Sequence, residues 1–204
     1  MISVDLLIFD GVDELDFAGP YEVLSSCHKV INGKWSDKPA FHVQVVAEQH
    51  STVRCAHGLN VLPDKPISRA LGSDVVIVPG GPGARKELHS DVLREYLTRA
   101  HDASDVMASI STGTFMLGNA GLIDGRKVTT HYARCDELAK LFPDAHVQRG
   151  QRIVMDNSKG NLWSSGGISS GIDLALAIIT KFEGKETACL AARRIEWPLP
   201  PVAL

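Results

Sequence analysis

Cysteine is scarce in this chain: Cys27, Cys55, Cys135 and Cys189 are the only four in 204 residues, with no Cys-x-x-Cys pair and no matching histidine spacing. Neither a disulfide framework nor a zinc site is indicated, and the four read as buried free thiols. There is no surplus of positive charge either. The formal net charge is -3 and the lysines and arginines are scattered, which leaves no footing for nucleic acid or another polyanion. No uninterrupted apolar run reaches the roughly 18 residues of a membrane span. No basic segment precedes the first apolar stretch: Met1 leads at once into "ISVDLLIFDG", with Asp5 inside the run, so this is a first strand rather than a signal peptide. The expectation is a cytoplasmic protein with no membrane partner.

What remains is an ordinary globular composition, 44% hydrophobic and 22% charged, of a length that suits one well-buried domain over residues 1–204. Apolar runs of strand length recur as "VDLLIF", "FHVQVVA", "DVVIVP", "VMASI" and "RKVTT". Between them lie helix-period segments such as "GPYEVLSSCHKV", taken to start near Gly19 and Pro20, and "DVLREYLTRAHD". Val- and Ile-rich strands without clean alternation are those buried on both faces. The fold class is therefore α/β, a doubly wound and mostly parallel sheet. Two segments, "STVRCAHGLNVLPD" and "QRIVMDNSKGNLWSSGG", read as hairpins added antiparallel to that sheet, the second turning at "DNSKGN". "ISSGIDLALAIITKFEG" reads as a helix ended by Gly184, and "KETACLAARRIEW" as another, stopped by "PLPPVAL".

Ligands of open α/β sheets bind beyond the carboxyl ends of the strands, and three loops there are unusual. "DGVDELDFAGP" gathers Asp10, Asp13, Glu14 and Asp16 before a helix, whose N-terminus favours negative charge and explains most of them. Asp16 differs, because it stands between Leu15 and Phe17; a desolvated carboxyl there has a raised pKa and serves as a proton donor. "VPGGPGARKEL" places glycines and prolines between a strand and a helix, which lets backbone N–H groups face developing charge, although a tight turn alone explains it as well. In "VMASISTGTF" a strand meets a helix at Ser111 with no turn residues to spare. That corner reads equally as a strained nucleophile elbow and as an N-cap.

"SISTGTFMLGNAGLIDGRKVTTHY", with "LDFAGPYEVL" before it, "VIVPGGPGA" in the middle and "NLWSSGGISSGIDLALAII" after it, resembles the DJ-1/PfpI superfamily, and within it the isocyanide hydratase branch. The resemblance runs from the first strand to about Trp197. It implies a flavodoxin-like fold, a homodimer, a small-molecule substrate, and neither metal nor organic cofactor. It also implies that Ser111 stands where the family has its nucleophilic cysteine. Thr112 matches the threonine that follows the nucleophile in the hydratases, and Asp16 matches their acid in the "LDxxGP" motif. Gly80 and Gly81 match the loop facing the nucleophile, Ile168 a contact residue of the pocket, and His131 a histidine at its entrance.

The implied reaction adds water to an isocyanide and yields an N-substituted formamide. A thiolate attacks the terminal carbon, Asp16 supplies the proton, Thr112 orients both, and water then releases the covalent intermediate. A serine hydroxyl is far less acidic than a thiol and needs a base, for which His131 with Asp16 is the only candidate set. The expectation is activity far below that of a Ser111→Cys form. A serine here fits either an introduced replacement or a natural divergence. Two other classes stay open: a ligand-binding domain like those preceding helix-turn-helix regions in some regulators, and glyoxalase, deglycase or amidase chemistry. Cys135, four residues after His131, is read as structural.

Overall fold

A computed structural model describes residues 1–158 and 161–198. The chain runs β1 (Ile2–Leu7), α1 (Glu14–Ser25), β2 (His28–Ile31), β3 (Lys34–Pro39), β4 (Phe41–Ala47), β5 (Val53–Arg54), β6 (Asn60–Val61) and β7 (Lys65–Pro66). It continues with β8 (Val75–Val78), α2 (Ala84–Glu87), α3 (Asp91–Ala103), β9 (Val106–Ile110), α4 (Gly113–Asn119) and β10 (Lys127–Val128). It closes with α5 (Cys135–Leu141), β11 (His146–Val147), β12 (Ile153–Asp156), β13 (Leu162–Ser165), α6 (Ser170–Glu183) and α7 (Lys185–Arg194).

Seven strands form one sheet in the order β12-β13-β9-β8-β1-β4-β7, parallel throughout except for β12. β8 and β9 are buried at every residue, as strands covered on both faces must be. On one face α1 packs against α6, where Gly19, Gly171 and the Pro20 ring let the two helices come close. α3 presents Leu93, Tyr96, Leu97 and Ala100 to the core, and Ser90 caps it by accepting from the Leu93 N–H. This is the expected flavodoxin-like arrangement, with β1, β8 and β9 at its centre and their carboxyl ends on one rim.

Several expectations are corrected. α1 starts at Glu14, not near Gly19 and Pro20; Pro20 lies inside it and has no N–H to offer the Asp16 carbonyl. His28 to Val30 do not extend that helix but open a β2–β3 hairpin around Asn32 and Gly33, both at positive φ. "RKVTT" is a strand for two residues only and pairs with β11, outside the main sheet. The β5–β6 hairpin likewise forms its own two-stranded sheet, whereas β12–β13 does join the main one. Lys159 and Gly160 of the expected turn, and the "LPPVAL" end of the tail, lie outside the described residues. α6 does end at Gly184, which takes φ +86. All four cysteines are free thiols, three of them buried.

Candidate functional site

Three loops meet at the carboxyl rim. β9 passes into α4 through Ser111, whose φ of +54 is left-handed and costs an L-residue roughly 1–2 kcal/mol. That strain identifies an elbow. The N-cap position belongs to Thr112 instead, so the reading of Ser111 as a plain cap is overturned. The backbone around the elbow is held from both sides. The Ser111 N–H donates to the carbonyls of Ser165 (3.2 Å) and Gly166 (3.0 Å). Its own carbonyl accepts from the Thr130 hydroxyl at 2.7 Å and the Thr114 hydroxyl at 3.3 Å.

Asp16 projects from the first turn of α1 and is fully buried. Burial drives its carboxyl from the usual 3.8 up to about 7, and the nearby Asp13 charge adds to the rise, while amide N–H groups of Gly80 and Ile168 pull the other way. Its Oδ2 accepts from the Gly80 N–H at 3.0 Å, and its Oδ1 is buried with no hydrogen bond that closes. Near neutral pH this group is poised between acid and base.

Gly80 is the hinge between acid and elbow. A Cβ placed on it would stand 2.5 Å from the Thr112 nitrogen and 2.9 Å from the Ser111 Cβ, so only glycine lets the two strand ends approach this far. Its amide is spent on Asp16, and the Gly81 amide is spent on the Thr112 hydroxyl at 2.9 Å. Neither is free to meet developing charge, which corrects the expected role of this loop. Thr112 makes its side-chain bonds with the N–H and carbonyl of Gly81, not with Asp16 or Ser111, so it touches the acid only through the loop.

His131 does not meet Ser111 or Asp16 by any hydrogen bond among the described residues. Its ring packs close against Gly167, where a Cβ would fall 2.2 Å from Cδ2, and its Nδ1 accepts from the Ala133 N–H at 3.3 Å. The proposed base set is therefore not assembled, and among the described residues no hydrogen bond reaches the Ser111 hydroxyl. His131 does line a cleft of about 400 Å³, together with Thr130, Tyr132, Cys135, Arg152 and Ile168. Arg152 is engaged there by Asp173. Ile168, half-exposed and at φ +51, is a second strained position on the wall of that cleft. Cys135 is buried, and its thiol points to the His131 carbonyl at 3.8 Å.

Reading the sequence missed Thr130 as a partner of the elbow. Its only signal is the pair of threonines before His131. The acidic loop also works differently from expectation. Asp10 accepts from the Arg54 N–H and Glu14 from the His57 backbone and imidazole, so two of these carboxylates tie the β5–β6 hairpin to the rim. Asp13, Glu14 and His57 have ligand-type atoms within 4.8 Å of one another, and the Glu14–His57 ion pair accounts for that grouping. No helix among the described residues is long and apolar enough to cross a membrane.

The chain has counterparts among known proteins. Residues 2–181 match the model of the DJ-1/PfpI family. The isonitrile hydratase of Pseudomonas putida is 31% identical over 98% of this chain and 81% of its own length. The glutathione-independent glyoxalase DJR-1.2 of Caenorhabditis elegans is 24% identical over 82% of this chain and 87% of its own. Among solved structures, a ThiJ/PfpI family protein from Pseudomonas syringae superposes with a TM-score of 0.83 at 22% identity, covering 98% of this chain and 77% of that one. The family match takes in both the elbow and the acid helix, and the protein thus belongs to the DJ-1/PfpI family.

Proposed function

We propose that this chain is built for isocyanide hydration and that Ser111 holds the position of the attacking group. The observation that carries the reading is Asp16, a buried carboxyl near pKa 7 whose one bonded oxygen is tied by Gly80 to the elbow. With a thiolate at residue 111, the sulfur bonds to the terminal carbon of R–N≡C and Asp16 gives its proton to the adduct, leaving a thioimidate. Water then attacks that carbon, one of its protons passing to the Asp16 carboxylate and the other to the nitrogen, and the thiolate leaves as the C=O bond forms; the product is R–NH–CHO. Thr112 and Gly81 hold the loop that fixes Asp16, and Ile168 and His131 face the substituent. With serine in place, no group among the described residues hydrogen-bonds the hydroxyl to ionise it, so addition is slow. A small neutral substrate, a homodimer and a cytoplasmic setting belong to the same reading.

That unassisted hydroxyl also favours a second reading, in which the site binds a small ligand and does not turn it over. One experiment separates them: formamide release from an alkyl isocyanide, followed for the protein and its Ser111→Cys form, with methylglyoxal as the control substrate. The hydration reading expects at least ~100-fold faster release after the substitution. It also expects kcat/KM to fall tenfold per pH unit above about 7, as Asp16 loses its proton. Equal rates in the two forms, or turnover of methylglyoxal alone, sink it; ligand binding with no turnover in either form favours the second reading.

A further inference from the structure

The elbow is strained, and the residues that hold it are not those that carry the acid. Around Ser111 the two flanking peptide groups are fixed by different segments of the chain. The N–H side is fixed by Ser165 and Gly166, at the start of the turn that leads to Ile168. The carbonyl side is fixed by Thr130, which is itself buried and lines the 400 Å³ cleft beside His131. The Thr130 bond, at 2.7 Å, is the shortest made by the Ser111 carbonyl. Thr114 is a weaker partner of that carbonyl, because its N–H stands 3.4 Å away and its hydroxyl is shared with the Thr129 carbonyl at 2.9 Å and the Ser109 hydroxyl at 2.9 Å.

We propose that Thr130 is a positioning residue: its hydroxyl holds the carbonyl of residue 111 and so maintains the left-handed elbow that aims this side chain. The role of aiming rests on the reading of Ser111 as the attacking position; the clamp itself does not. A non-glycine residue leaves the left-handed region unless something over-determines it, and a short buried hydrogen bond to its carbonyl is such a constraint. Valine matches threonine in shape and lacks only the hydroxyl, so Thr130→Val removes the clamp alone.

Two measurements test this without an isocyanide. The first is equilibrium unfolding of Thr130→Val in the native and Ser111→Gly backgrounds. Glycine carries no left-handed penalty, so the clamp has less to hold there. Thr130→Val should raise the unfolding constant about tenfold with serine at the elbow and about threefold or less in the Ser111→Gly background. If Thr130→Val alone fails to fold, Ser111→Gly should restore folding. The second is the pH profile of iodoacetamide alkylation at residue 111 in the Ser111→Cys form, with the modified cysteine identified by mass spectrometry. Thr130→Val should lower its plateau rate about fivefold or more, and Thr130→Ser should return it. Equal losses in both backgrounds, no rescue of folding, or an alkylation profile that Thr130→Val leaves unmoved overturns the proposal. Absence of isocyanide turnover alongside both expected results would remove the hydration reading and leave the clamp standing.

Discussion

The first turn of α1 carries two carboxyl groups, Glu14 and Asp16, whose chemistry moves in opposite directions. Glu14 lies on the outer side. Partial burial pushes it upward, but bonds from the His57 imidazole and from backbone N–H groups outweigh that and bring it from 4.5 to about 2. His57 is raised in turn, chiefly by its hydrogen bond to Glu14. Asp16, on the inner side, has one amide firmly bonded and no cation beside it among the described residues, and burial prevails. The same helix end and the same acidic loop therefore produce a permanent anion that fastens a hairpin and a buried carboxyl that titrates near neutrality on the amide of Gly80. The direction a side chain points, more than the element that bears it, decides which it becomes.

The comparison can be broken most forcefully at Asp16. Its folded pKa of about 7 lies above the ordinary 3.8, so stability is full below about 4 and is lost as pH rises through about 7. The shift corresponds to roughly 4 kcal/mol at pH 8. Asp16→Asn should abolish that dependence and be more stable than its parent at pH 8 by up to that amount, with little difference at pH 3.5. Urea midpoints across this range check it. A parent as insensitive to pH as the variant would show that the group is not desolvated.

Next in size is Gly80→Ala, which drives a methyl into the Thr112 backbone nitrogen, 2.5 Å away, and so separates acid from elbow. We expect a loss of about 3 kcal/mol, with the alkylation rate of a Ser111→Cys form reduced as well. An unchanged urea midpoint would mean that the two loops have room to part. The smallest effect sharpens the outer half of the comparison. Glu14 is lowered from 4.5 to about 2, so its contribution is present above about 4.5 and is lost as pH falls toward 2. Because the pair is partly solvated, Glu14→Gln should cost about 1 kcal/mol or less at pH 7 and nothing at pH 2. A cost that persists at low pH would point to packing rather than charge.

Much of the frame was legible in the chain. β4 and β9 coincide with the apolar runs "FHVQVVA" and "VMASI"; β9 is buried at every residue, and a strand covered on both faces has few other ways to be written. The strain at Ser111 follows from the absence of any turn residue between strand and helix. Asp16 was singled out for a reason that only half holds. Its flanking Leu15 is exposed, and Asp16 is buried because it lies on the inward face of a helix that begins earlier than Gly19 and Pro20 imply. The β2–β3 hairpin is masked by the helical period of "GPYEVLSSCHKV", which runs on to Val30, although Asn32-Gly33 beyond it is a strong turn signal. The bonds of Gly80 to Asp16 and Thr130 to Ser111 join positions 64 and 19 residues apart. No local pattern encodes such meetings; they arise from strand order.

One sheet margin bears on how the molecule keeps its own company. β7 is two residues long, and it ends in Pro66, which has no N–H to donate to a newcomer. Beside it Lys65 turns its ammonium inward, 2.9 Å from the buried Asp5 carboxylate. A short border closed by an imino acid and an inward charge is a poor template for another strand, so this flank resists fibrillar stacking.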